Sequence, residues 1–84
     1  MTETELKKLL AAILAEEESS AVDWTRIESL SLDLIERLIE EPAMVCPHGV
    51  YHFIDDFDIR QHDREYAERQ RALVGNYLKS PNMA

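Results

Sequence analysis

Two apolar stripes at helical spacing constrain the fold of this chain most, because each stripe needs a partner surface to bury it. The first stripe runs from Leu6 to Leu14 at steps of one, three and four residues. Thr2 and Glu5 form a capping-box pattern just before it. We therefore expect a first helix over about residues 3–18. The stripe consists of Leu6, Leu9, Leu10, Ile13 and Leu14.

The second stripe predicts a second helix that ends at Glu41, because Pro42 disfavours helical geometry in the residue before it. Ser19 and Ser20 interrupt the pattern between the two stripes, and Trp24 lies about one position off the second one. Two helices joined by so short a linker are expected to pack as a helical hairpin. The second stripe consists of Val22, Ile27, Leu30, Leu34, Leu38 and Ile39.

The segment 42–58 is compatible with two structures. Two prolines and a glycine make residues 42–50 irregular. Apolar residues from Val50 to Phe57 recur at the spacing of an amphipathic helix. Alternatively, residues 44–46 and 50–53 could pair as a short β-hairpin. We favour the helix.

A third long helix is predicted near residues 59–79, with Asp58 or Asp63 as its N-terminal cap. Pro81 ends the pattern, so residues 80–84 are expected to form a loose tail. With 84 residues the chain is one domain. The sequence thus predicts a mainly α fold: a three-helix domain in which a helical hairpin packs against a long C-terminal helix, with segment 42–58 across one end.

The charge of the chain is strongly acidic, with 17 acidic and 9 basic residues and a net charge of -8. Such a surface repels nucleic-acid phosphates and anionic lipids and attracts a basic protein partner. Glu16, Glu17, Glu18 and the off-stripe Trp24 are the candidate interaction residues. The apolar stripes are also broad enough to predict a homodimer.

The sequence indicates a cytoplasmic protein. A single cysteine excludes a disulfide framework within the chain, which suits a reducing compartment. Acidic residues near Met1 argue against a secretory signal. No apolar run approaches the roughly 20 residues that a membrane span requires.

A cysteine and three histidines lie close together and support an alternative function as a zinc-binding protein. Cys46, His48 and His52 are residue types that bind zinc, and His62 or an aspartate would complete four ligands. Their spacing matches no established zinc pattern. The competing interpretation is that Cys46 packs as a small apolar residue. No other cofactor is expected.

Two further function classes have weaker support. A Cys46–His48 pair lacks an oxyanion hole or an orienting third group, so we expect no enzymatic activity. Arg60, Arg64, Arg69 and Arg71 suggest a nucleic-acid-binding helix as a third hypothesis, but acidic residues alternate with them. The leading hypothesis is a small acidic interaction or regulatory module without catalysis.

Overall fold

A computed structural model describes residues 1–82, and five helices lie within that range. They are α1 (Glu3–Glu17), α2 (Trp24–Glu40), α3 (His48–Asp55), α4 (Phe57–His62) and α5 (Arg64–Lys79). No strand occurs in residues 1–82, which confirms the mainly α prediction. None of these helices is long and apolar enough to cross a membrane.

The first two helices form the predicted hairpin, and each begins at a side-chain cap. Thr2 Oγ1 accepts a hydrogen bond from the Glu5 backbone N–H at 3.2 Å. Asp23 caps α2 in the same way and accepts from the Arg26 backbone N–H at 3.1 Å. These bonds satisfy N–H groups that have no partner within the helix. The two helices pack against each other along their apolar stripes.

Segment 42–58 contains the helix that we favoured over the hairpin. After an irregular stretch, α3 buries Val50, Phe53 and Ile54. Phe53 is the largest fully buried side chain in the described residues. This short helix packs against α2 on one side and α5 on the other, so it closes the end of the hairpin.

The prediction of one continuous helix over residues 59–79 is wrong in its first part. Asp63 has an extended backbone, with φ -129° and ψ 103°, and separates α4 from α5. Its carboxylate accepts the Tyr66 backbone N–H at 3.0 Å, as expected for one of the two candidate caps. The break divides the predicted helix in two, and Arg60 of α4 is buried.

The core lies where the hairpin meets α3 and α5. Helix α5 contacts α1, α3 and α4. Ser31 lies within this core, and its hydroxyl has no hydrogen-bond partner in the described residues. The fully buried apolar side chains are Leu6, Leu10, Ile13, Ile27, Leu34, Val50, Phe53, Ile54 and Val74.

The described part of the predicted tail is held against α1. Lys7 Nζ donates to the Ser80 carbonyl, and Asn82 Nδ2 donates to Thr4 Oγ1 at 2.8 Å. These contacts place residues 80–82 beside α1, and the loose tail stays a prediction. The last two residues of that tail, 83–84, lie outside the described residues.

Candidate functional site

The outer side of α2 exposes a row of apolar side chains. Leu32 is 50% exposed and Ile39 is 69% exposed. They lie seven residues apart on the same side of the helix, and the partly buried Ile35 lies between them. We call Leu32, Ile35 and Ile39 the α2 outer row. Neighbouring exposed apolar residues on one helix indicate a contact surface more strongly than scattered ones do.

Acidic side chains flank the α2 outer row. Glu28 and Glu36 are exposed and lie four residues before and after Leu32, so they share its side of the helix. Glu40, which directly follows Ile39, is also exposed. The row is therefore an apolar surface with a negatively charged border.

The basic side chains of α2 face the other way. Arg26 Nε lies 3.6 Å from a Glu16 carboxylate oxygen, and an Arg37 guanidinium nitrogen lies 3.4 Å from a Glu5 oxygen. Both carboxylates belong to α1. Since α2 contains no lysine, its cations lie along the α1 edge and do not neutralise the border of the outer row.

The structure separates the four predicted interaction residues. Trp24 is partly buried against the core, and Glu16 pairs with Arg26 of α2. Glu18 is exposed at the C-terminal end of α1. Glu17 requires a correction, because it is only 5% exposed and does not belong to an acidic surface.

Glu17 forms a buried ion pair with Arg60 that joins α1 to α4. Arg60 Nε and Nη2 donate to the two Glu17 carboxylate oxygens at 2.8 and 3.0 Å. Arg60 also donates to the Phe53 carbonyl and, at 2.9 Å, to Gln70 Oε1. Its guanidinium carbon lies 3.9 Å from the centre of the Phe53 ring. The two side chains are fully buried, so these hydrogen bonds compensate for lost hydration.

The predicted basic stripe is divided by the fold, because Arg60 and Arg71 turn towards Glu17 while Arg64 and Arg69 stay exposed. Arg60 is buried in α4, and Arg71 of α5 lies 3.7 Å from the same Glu17 carboxylate. Arg64 is exposed and lies 3.6 Å from Glu68 one helical turn later. The sequence did not predict the buried pair of Glu17 and Arg60, because the two residues are far apart along the chain and each lies in a charged stretch.

The contacts of Arg60 continue through Gln70 to Asp56. We call Glu17, Arg60, Gln70, Asp56 and Tyr66 the polar cluster. Tyr66 OH donates to Asp56 Oδ2, and Gln70 Nε2 donates to the same oxygen at 3.2 Å. The hydrogen bond to Asp56, together with burial, raises the pKa of Tyr66. Since Gln70 also accepts from Arg60, the cluster connects the α3–α4 junction to α5 and holds the Asp56 carboxylate in place.

Cys46 lies on the irregular segment before α3 and is partly buried. Its Sγ is 3.8 Å from the Pro47 carbonyl oxygen. Burial raises the pKa of the Cys46 thiol, which disfavours the thiolate that a nucleophile or a metal ligand requires. This environment resembles that of a packed cysteine.

The histidines of the predicted zinc set are only partly brought together. His48 and His52 lie on the same exposed side of α3, with their Nε2 atoms 2.9 Å apart. His62 is exposed at the end of α4. In residues 1–82 no three cysteine, histidine, aspartate or glutamate side chains form a group that could hold a metal ion.

Tyr77 ties the end of α5 to the beginning of α1. Its OH donates to Glu3 Oε2 at 3.0 Å, and Lys7 Nζ lies 5.0 Å from the ring centre. Burial and the hydrogen bond to Glu3 raise the pKa of Tyr77 to about 12. The phenol therefore stays protonated across the physiological range.

A shallow groove lies beside the chain N-terminus. It has a volume of about 610 Å³ and is lined by Met1, Glu3 and residues 41–45. The Met1 amine donates to the Glu41 carboxylate at its edge. Val45, which also lines it, is 67% exposed. Cysteine and histidine are absent from this lining, so a thiol–imidazole pair does not face the groove.

Comparisons with protein families, with curated proteins and with solved structures give no significant match to this chain.

Proposed function

We propose that this protein is a small interaction module that binds a basic, amphipathic helix of a partner protein along the α2 outer row. The observation that carries the proposal is the exposure of Leu32 and Ile39 on one side of α2. A partner helix that covers them would bury apolar surface by packing side by side with α2.

The charge around the row supports a basic partner. Glu28, Glu36 and Glu40 border the apolar side chains, while Arg26 and Arg37 pair with carboxylates of α1. Lysine or arginine at the edges of the partner helix would therefore meet carboxylates without competing cations from α2. Such complementarity increases the association rate and selects the partner.

A second copy of the chain is the other occupant that this surface would accept. Pairing two copies would bring two acidic borders together, which opposes association at low ionic strength. The homodimer remains a prediction, and it responds to salt in the opposite direction from a basic partner.

We propose that the module has no catalytic activity. We also propose that it works in a reducing compartment such as the cytoplasm. The raised pKa of the Cys46 thiol supports the absence of nucleophilic chemistry. A lone, partly buried cysteine is also suited to a reducing compartment. Turnover by the purified protein that disappeared in Cys46→Ala or His48→Ala would contradict the absence of catalysis.

The experiment uses the full chain and a synthetic amphipathic peptide with leucine on one face and lysine on its edges. We expect the peptide to shift backbone NMR signals of α2, and its affinity to fall as salt is raised. Leu32→Gln and Ile39→Gln should each weaken binding about tenfold, because each removes a partly exposed apolar contact.

Two controls make the result specific. Leu73→Gln alters another apolar side chain, 44% exposed on α5, and should leave peptide binding unchanged. A peptide with glutamate in place of every lysine should not bind. Equal weakening by all three substitutions, or shifts that lie outside α2, would refute the proposed site.

A further inference from the structure

The exposed side of α3 places two imidazole rings against each other. His48 and His52 are one helical turn apart, with ring centres 4.4 Å apart and ring planes at 90°. Their Nε2 atoms are separated by 2.9 Å. Both side chains are exposed, so the pair is accessible to an ion from solvent.

The separation of the two nitrogens is short enough for both to bind one metal ion. Imidazole nitrogens lie about 2.05 Å from a bound divalent transition metal. Two such nitrogens are then about 2.9 Å apart at a right angle and about 3.3 Å apart at the tetrahedral angle. The observed 2.9 Å is the length of a hydrogen bond between the rings, and a small rotation of either ring brings both nitrogens within reach of one ion. Two imidazoles completed by water form a nitrogen and oxygen ligand set that suits Cu²⁺ and Ni²⁺, whereas structural zinc takes four protein ligands in a tetrahedron.

Asp56 favours the ring form that binding requires. His52 Nδ1 lies 3.8 Å from Asp56 Oδ2, on the opposite side of the ring from Nε2. A carboxylate near Nδ1 favours a proton on that nitrogen, which leaves the lone pair on Nε2. Asp56 is itself held by Tyr66 and Gln70. Asp56 therefore lies beside His52 Nδ1, while Nε2 of the same ring faces His48.

We propose that His48 and His52 together bind one divalent ion of the Cu²⁺ and Ni²⁺ class through their Nε2 atoms. Water fills the remaining positions, because two protein ligands leave an open coordination shell. Binding replaces the hydrogen bond between the two rings. The donor ring loses its Nε2 proton to solvent and takes up a proton on Nδ1, so that both Nε2 lone pairs can face the ion. Cys46 and His62 are not ligands of this site, so the proposal differs from the four-ligand zinc hypothesis.

The test is a calorimetric titration of the untagged full chain with Ni²⁺, followed by NMR of the histidine side chains. We expect one ion per chain, and a rise in Tm because the ion binds the folded state. His48→Gln and His52→Gln should each weaken Ni²⁺ binding at least about tenfold. Circular dichroism of each variant checks that α3 remains folded.

The third histidine provides the matched control. His62→Gln removes an exposed imidazole at the end of α4 and should leave Ni²⁺ affinity unchanged. The proposal fails if Ni²⁺ does not bind below millimolar concentration, or if His62→Gln weakens binding as much as His48→Gln. It is independent of the interaction surface, since Leu32→Gln should not alter Ni²⁺ binding and His48→Gln should not alter peptide binding.

Discussion

At the scale of single residues, Arg60 makes the most polar contacts in the interior. It donates to Glu17, Gln70 and the Phe53 carbonyl, and it lies over the Phe53 ring. A buried pair of this kind is not a simple gain in stability, since both ions lose their hydration. Removing one partner alone leaves an uncompensated charge in the interior.

We predict that Arg60→Met lowers the free energy of unfolding by about 3–5 kcal/mol, because it leaves the Glu17 carboxylate with only Arg71 nearby. That is a large fraction of the roughly 5–10 kcal/mol expected for a domain of this size. Urea unfolding followed by circular dichroism measures the change. The double variant Arg60→Met with Glu17→Leu should lose less free energy of unfolding than the two single variants lose together, because it removes both charges.

The exposed pair of Arg64 and Glu68 is the control for that measurement. Arg64 is 93% exposed in its side chain, so Arg64→Met should change the free energy of unfolding by less than about 0.5 kcal/mol. Equal effects of Arg60→Met and Arg64→Met on the free energy of unfolding would contradict the expected cost of leaving the buried Glu17 carboxylate without Arg60.

Tyr77 predicts a pH dependence at the alkaline end. Its pKa is raised to about 12, so folding favours the protonated phenol. The stabilising contribution is complete below pH 10, the ordinary tyrosine value, and disappears as the pH rises towards 12. Tyr77→Phe should therefore lose less stability than the wild type between pH 9 and pH 11, as measured by urea unfolding.

A second variant separates the two causes at Tyr77. Burial is the larger cause of the raised pKa and the hydrogen bond to Glu3 the smaller. Glu3→Gln should therefore keep part of the alkaline loss. Parallel stability profiles for the wild type and Tyr77→Phe would contradict the assignment to Tyr77.

At the scale of elements, the break at Asp63 decides how the C-terminal half packs. A continuous helix over residues 59–79 would keep Arg60 on the same axis as Arg64 and Arg71. With α4 and α5 separated, Arg60 reaches Glu17, while α5 contacts α1 and α3. The side-chain cap and extended backbone of Asp63 make this turn locally stable.

We predict that Gly75→Ala stabilises α5 and the protein. A methyl group at Gly75 would meet nothing within 4 Å, and alanine is a better helix former than glycine. The expected gain is about 0.5–1 kcal/mol in the free energy of unfolding, measured by urea unfolding.

Gly49→Ala is the matched comparison. There the added methyl group would lie 2.9 Å from Leu73 Cδ1, so the leucine has to move. The gain should be smaller than for Gly75→Ala, or a loss. A larger gain at Gly49 would contradict the close packing of α3 on α5.

At the scale of the whole molecule, the net charge of -8 governs association. The apolar face of α1 is buried in the core. Leu32 and Ile39 of α2 are exposed, so the apolar surface that remains for an interface lies mainly on α2. Two copies that pair through this surface repel each other at low ionic strength. Self-association should therefore be weak in dilute salt.

We predict a homodimer whose population rises with salt and falls in the Leu32→Glu variant, measured by sedimentation at several ionic strengths. Screening weakens the repulsion between the acidic borders, whereas an added carboxylate on α2 strengthens it. Leu73→Glu on α5 is the control and should not shift the equilibrium. A monomer at every salt concentration would refute the homodimer prediction. It would not affect the proposal of a basic partner, which the peptide titration tests.

Local patterns in the sequence determine the helices of this protein. The spacing of Leu6 to Leu14, the caps at Thr2 and Asp63, and Pro42 act within one or two helical turns, so they can be recognised without the fold. The choice of helix over hairpin after Gly49 follows from the same kind of spacing. Of the outer row, only Ile39 belongs to the predicted second stripe, whereas Leu32 was not singled out by the sequence pattern.

Only the tertiary structure decided which charges are buried and which are free. Glu17 lies in a run of three glutamates and Arg60 among exposed arginines, and neither has a local sign that it turns inward. Their meeting depends on the angle between α4 and α5 and on where α1 ends. The same holds for His48, His52 and Asp56: spacing predicts a shared face, but the anchoring of Asp56 by Tyr66 and Gln70 requires α3 and α5 to pack together. Such contacts join residues distant in the chain, so three-dimensional packing determines them.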